Sequence, residues 1–159
     1  MDCLWSPWRY SYLQTGVPAG SCIFCTVAQS DRDSENFVLH RGRYNLVLLN
    51  LYPYTSGHLM IAPYEHVATL ESAHAETLTE MIALTRAAEK NLRAIYRPSG
   101  VNLGMNIGEA AGAGVAGHIH MHVLPRWLGD ANFLSVVGET RVLPETLATT
   151  WEKLRKESW

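Results

Sequence analysis

Two rhythms of apolar and polar residues run along the chain. Residues 37–40 and 44–50 are strand-like runs on either side of Arg41-Gly42-Arg43 and predict a hairpin; GHLMIAP, at 57–63, predicts a third strand after the loop LYPYTS. From 72 to 97 the rhythm changes. Leu78, Met81, Ile82, Leu84, Ala88, Leu92 and Ile95 recur with a helical period, Ser72 stands where an N-cap belongs, and Pro98 forces a stop. Strand-like runs return at 101–108 and 118–125, separated by the small-residue loop EAAGAGVAG. Leu143-Pro144 predicts a last helix over about 144–158, with the proline at its first helical position and Leu147, Trp151 and Leu154 along one side. Strands in hairpins, interrupted by one long helix, predict the α+β class: a five-stranded antiparallel sheet, one long helix and a C-terminal helix, the helices on one face.

The segment CIFCTVA stands apart from this frame. It lies between turn-rich residues 14–21 and the polar loop 29–36, and reads as a knuckle within about residues 1–30, ahead of a core spanning about 37–135. A chain of 159 residues can bury about two thirds of its unfolded surface as one domain. No apolar run approaches the roughly 18 residues of a membrane span, so no membrane partner is expected. The opening LWSPWRYSYL is broken by tryptophans and tyrosines and lacks the order of a secretory leader, which predicts a cytoplasmic protein. With a net charge of −2 and scattered basic residues, the chain offers no footprint for a nucleic-acid backbone, and a small nucleotide is the better expectation. Three cysteines are an odd count: the C-x2-C pair Cys22 and Cys25 favours metal or redox chemistry over a disulfide framework, and Cys3 is left over.

Three of the seven histidines fall in GHIHMHVLPRW, at His118, His120 and His122. On an extended strand these share one face, while Ile119, Met121 and Val123 face the core. Clustered imidazoles raise one another's cost of protonation and add little packing, so the row reads as chemistry. Two chemistries compete. In one, two imidazoles hold a catalytic metal whose open position activates water; in the other, one imidazole is the nucleophile and its neighbours neutralise an anion. The outer two histidines of such a strand are roughly 13 Å apart, too far to share one ion. An elongated anion such as a polyphosphate can meet all three in turn, and the EAAGAGVAG loop offers unhindered backbone N–H groups to its oxygens. A nucleotide-binding module without turnover is a third reading.

HIHMHVL resembles the His-φ-His-φ-His-φ-φ signature of the histidine triad superfamily of nucleotide hydrolases and transferases. NLYPYTSGHLMIAPYEHV, GVNLGMNIGEAAGAGVAGHIHMHVLPRWLGDANF and LWSPWRYSYL are similar to its bacterial branch related to diadenosine tetraphosphate phosphorylases. The resemblance implies a homodimeric enzyme that cleaves an adenine dinucleoside polyphosphate or a related nucleotide conjugate, without a catalytic metal. It gives His120 as the nucleophile forming a nucleotidyl-histidine, His122 as a contact to the same phosphate, and His58 as a fourth active-site histidine. Asn50 would meet the ribose, Asn106 the transferred phosphate, and Trp127 would flank the substrate. The resemblance also implies a structural zinc on Cys22, Cys25, His66 and His118, beside the alternative of a redox pair for the two cysteines. One departure stands out. Related phosphorylases carry a serine in the loop before the triad, where this chain has Gly114 between Ala113 and Val115. Those three are expected to line the phosphate without a side-chain donor, leaving either phosphate or water to resolve the intermediate.

Overall fold

The computed structural model describes residues 22–138 and 142–159; Cys3 and the LWSPWRYSYL opening lie outside the described residues. In chain order the elements are α1 (Ile23–Ala28), β1 (Val38–Arg41), β2 (Asn45–Leu49), β3 (Leu59–Pro63), α2 (Ala75–Tyr96), β4 (Gly100–Gly104), β5 (Met121–Arg126), α3 (Phe133–Val136) and α4 (Leu147–Leu154). The strands form one sheet in the order β1-β2-β3-β5-β4, and every neighbouring pair is antiparallel. This is the α+β architecture expected, with five strands and one long helix.

The central strands are buried along their whole length. LVLL of β2 and LMIAP of β3 show continuous apolar character rather than alternation, which is the signature of a strand covered on both faces. One face carries α2 and α4: Met81, Leu84, Ala88, Leu92 and Leu154 pack with Val47, Leu49, Leu59, Ile61, Ile119 and Val123. Leu92, fully buried, contributes roughly 2 kcal/mol by removal of its side chain from water. The other face carries α1, whose Phe24 and Val27 pack on Leu46, Leu48, Met60 and Ala62. The expectation of helices on one face is therefore corrected: the CIFCTVA knuckle is a short helix that closes the second face. Arg41 on β1 fixes it there, its guanidinium donating to the carbonyls of Ala28 (3.0 Å) and Ser30 (2.6 Å) and to the Asp33 carboxylate (3.0 Å). A cation at the carbonyl end of a helix supplies partners that end otherwise lacks.

Several element ends differ from the pattern's prediction, each for a local reason. The long helix begins at Ala75 with His74 as N-cap, because Glu65 accepts from both the His74 backbone N–H (3.1 Å) and its ring (2.6 Å), while Ser72 belongs to a turn with Thr69. It stops at Arg97, which turns left-handed at φ 47 ahead of Pro98. Ile82, counted in its apolar stripe, is 61% exposed. The last helix begins at Leu147 rather than at Pro144, because the Thr146 hydroxyl accepts from the Thr149 N–H at 3.2 Å and acts as the cap. β4 ends at Gly104, which leaves Asn106 in the following loop, and β5 begins only at Met121, so His118 and His120 lie in the approach to the strand.

Candidate active site and metal cluster

The approach to β5 keeps the alternation the sequence predicts. His118, His120 and His122 are buried on the α1 side, and Ile119 and Val123 are buried in the core beneath α2. Each ring has its own surroundings, and its hydrogen bonds fix which nitrogen carries the proton.

His118 donates from Nε2 to the Pro63 carbonyl at 2.9 Å, so its Nδ1 lone pair is bare. That nitrogen lies 3.2 Å from Cys22 Sγ, 3.2 Å from His66 Nδ1 and 3.7 Å from Cys25 Sγ, with Cys25 Sγ 3.4 Å from His66 Nδ1. Four donors bonded to one tetrahedral ion at about 2.3 Å for sulfur and about 2.0–2.1 Å for nitrogen stand roughly 3.3–3.8 Å apart, close to these separations. Two soft and two imidazole donors in this arrangement can hold a metal ion, and all four lie within 4.8 Å of one another. Among the described residues this is the one such group of three or more His, Cys, Asp and Glu side chains.

His120 donates from Nδ1 to the backbone carbonyl of His118 at 2.9 Å, which leaves the Nε2 lone pair free. Its ring is held between Phe24 and His122, each with its centroid 4.8 Å away. Burial pushes its pKa below that of a free imidazole, partly offset by the His118 carbonyl.

His58 and His122 form a pair across β3 and β5. The Tyr54 backbone N–H donates to His58 Nδ1 at 3.2 Å, so that nitrogen is the acceptor and His58 Nε2–H donates to His122 Nδ1 at 2.8 Å. His122 is thereby left with its proton on Nε2. Burial, then the nearby His122 and His120, push the His58 pKa down to about 3; burial, then His120, push that of His122 down to about 4. Gly57, at φ +80, makes the turn into His58 with Leu92, Pro125 and Tyr96 3.1 to 3.2 Å from where a Cβ would stand, so a side chain there is both strained and crowded.

The remaining candidates are more dispersed. The Asn50 amide lies 3.3 Å from His58 Nδ1 and its Oδ1 accepts from the Tyr52 N–H at 2.9 Å, which puts Asn50 beside the histidine pair. Asn106 is half-buried in the loop after β4. Ala113 and Gly114 lie in the loop before His118, and Val115 packs against the α1 face. A Cβ on Gly114 would meet nothing within 4 Å, so neither space nor backbone requires glycine there. Trp127 meets Tyr96 edge to face at 6.3 Å and lines a cavity with Tyr54, rather than touching the histidines. Two contacts were missed from the sequence. Phe24 stands between the Cys/His cluster and His120, and Tyr54 stacks on His122 at 5.9 Å. Their signal was their place, Phe24 between the two cysteines and Tyr54 four residues before His58.

An antiparallel α+β sheet with buried imidazoles gathered at the approaches to two adjacent strands, their pKa values lowered by burial, sets the class of the protein. The chain belongs to the histidine triad family: residues 31–127 match the HIT domain. It is 39% identical over 162 aligned residues to a protein of Mycobacterium tuberculosis (strain ATCC 25618 / H37Rv) named AP-4-A phosphorylase, covering 97% of this chain and 83% of that one. Among solved structures it resembles a Zn-bound histidine triad family protein from Mycobacterium smegmatis, at TM-score 0.69 and 29% identity over 86% of this chain and 91% of the other. A HIT family member from Bacillus subtilis gives TM-score 0.62 and 26% identity over 86% and 96%. Among the described residues no helix is long and apolar enough to cross a membrane.

Proposed function

We infer that this chain is a nucleotide phosphorylase or hydrolase that cleaves adenine dinucleoside polyphosphates, such as diadenosine tetraphosphate, through a covalent intermediate on His120. The observation that carries the reading is the tautomer of His120: with Nδ1–H committed to the His118 carbonyl, the Nε2 lone pair is the one atom of the buried ring available as a nucleophile. The name of the mycobacterial relative supports the substrate class.

In the first step His120 Nε2 forms a bond to the α-phosphorus as the bond to the bridging oxygen breaks, and the rest of the polyphosphate leaves as ATP. The positive charge this places on the ring is met by the His118 carbonyl. His122 Nε2–H faces the transferred phosphate and donates to an oxygen on it, an orientation set by His58. In the second step an oxygen of inorganic phosphate or water bonds to the phosphorus and the N–P bond breaks, releasing ADP or AMP and restoring His120. Asn50 meets the ribose hydroxyls in this reading, which its position beside the histidine pair supports. Asn106 and the loop of Ala113, Gly114 and Val115 flank the phosphate, and Trp127 borders the substrate.

Cys22, Cys25, His66 and His118 would hold a zinc ion, for which two thiols and two imidazoles are a suitable donor set, and the ion would cross-link α1 to the approach of β5 rather than take part in catalysis. The reading includes one domain, a homodimer and a cytoplasmic setting. Its test is incubation with diadenosine tetraphosphate, with and without phosphate, followed by product identification. ATP plus ADP only with phosphate identifies a phosphorylase; ATP plus AMP regardless identifies a hydrolase. Full turnover by His120→Ala would remove His120 as nucleophile.

A further inference from the structure

Tyr54 has a second neighbourhood. Besides stacking on His122, it lines a cavity of about 360 Å3, in the size range of small-molecule sites, whose walls include Ser56, Tyr96, Trp127, Glu145 and Lys153. Three of these walls are aromatic rings. The Lys153 ammonium lies 5.2 Å from the Tyr96 ring centroid and pairs with Glu145, which also accepts from the Tyr96 hydroxyl and from Thr150. The charges of this wall are thus matched internally, which leaves Lys153 a poor holder of phosphate. Ser56 is 7% exposed, and its hydroxyl has no hydrogen-bond partner among the described residues. A buried hydroxyl without a partner is unusual, and an acceptor on a ligand would satisfy it.

Aromatic walls, paired charges and a spare donor suit a planar, uncharged heterocycle with polar edges. We propose that this cavity is the subsite for the distal nucleoside of a dinucleoside polyphosphate, the one that leaves with the polyphosphate. The proposal rests on the nucleotidyl-transfer reading above, which sets the α-phosphate at His120. Tyr54 stacks on His122 at 5.9 Å and lines the cavity, so the cavity begins beside the histidine row. A polyphosphate bridge that starts at His120 runs past His122 toward this wall. Tyr54 is the wall the row and the cavity share.

Binding is measured by calorimetry on the His120→Ala chain with two ligands, diadenosine tetraphosphate and adenosine 5′-tetraphosphate. They share the α-phosphate and the bridge and differ in the distal nucleoside. The dinucleotide is expected to bind about tenfold tighter, the scale of one base stacked on aromatic rings. Tyr96→Leu should bring that ratio close to one, and Ser56→Ala, which removes a single oxygen, should lower it measurably. A variant that folds poorly weakens both ligands together and leaves the ratio readable; where Tyr96→Leu does not fold at all, Ser56→Ala decides. A ratio near one in the unaltered cavity, or a ratio that survives both substitutions, overturns the subsite, and failure of both ligands to bind removes the subsite together with the reading beneath it. Turnover of the unsubstituted chain reports separately. A chain that prefers the dinucleotide but never cleaves it keeps the subsite and loses the covalent mechanism.

Discussion

His58 acts on the site's geometry through a neighbour. Its single N–H is spent on His122, and that bond decides which nitrogen of His122 faces the site. His58→Phe keeps a ring of similar size and removes the donor, so turnover of diadenosine tetraphosphate should fall about 100-fold with the far-UV circular dichroism unchanged, a loss typical of one misdirected proton donor. The same residue makes stability depend on pH. Its folded pKa, about 3, lies below the unfolded value near 6.5, so above pH 6.5 the ring is neutral in both states and contributes no pH dependence. As pH falls below 6.5 the unfolded chain takes up a proton that the folded chain refuses, and stability declines by up to about 1.4 kcal/mol per pH unit until the folded pKa is reached. Urea unfolding at pH 7 and pH 5 should show a larger loss for the unsubstituted chain than for His58→Phe; equal losses would refute the assignment. The histidine row itself was legible in the sequence, because alternation on extended chain is set by residue order. The division of labour among the rings was not legible from residue types or spacing, since the carbonyls of Pro63 and His118 assign the protons and any residue type provides a carbonyl. It entered through the family resemblance, as did His66 and His58, which the structure brings beside the row.

At the scale of elements, α1 matters most. Six residues are too few to display a helical period, which is why CIFCTVA read as a knuckle, and the unbroken apolar runs LVLL and LMIAP are the clue in the sequence that something covers the second face. Other misread ends share one cause: caps such as Thr146 and the Glu65–His74 contact set the boundary, and periodicity does not see them. α1 brings Phe24 against His120 and two thiols against His118, so the Cys/His cluster and the histidine row share a wall. Cys25→Ser should take bound zinc from about one per chain to none by elemental analysis. It should also lower Tm by roughly 5–10 °C, the shift for a loss of a few kcal/mol in a chain of this size. A chelator should reproduce the Tm change in the unsubstituted chain and leave Cys25→Ser unaffected. Rapid loss of activity on chelation with Tm unmoved would instead favour a metal on the triad itself.

For the whole molecule, the sheet ends at β4, an edge strand with Asn102, Leu103 and Gly104 exposed, and Leu103 and Met121 line one shallow depression with Ile82 of α2. Leu103 is 50% and Ile82 61% exposed. An edge of this kind is a template for another strand, and a second copy of the chain is the partner expected here. If the proposed homodimer pairs through this edge, Leu103→Arg should shift the elution volume and light-scattering mass from dimer to monomer; an unchanged mass would remove this edge as the contact. Length in sequence carries a further meaning. Cys22 and His118 are 96 residues apart. A ribosome adding roughly 5–20 residues per second needs about 5–20 s to cover that interval. The two thiols therefore emerge early and wait, open to oxidants, for the imidazole that completes their cage, so the cluster is gathered over time as well as across space.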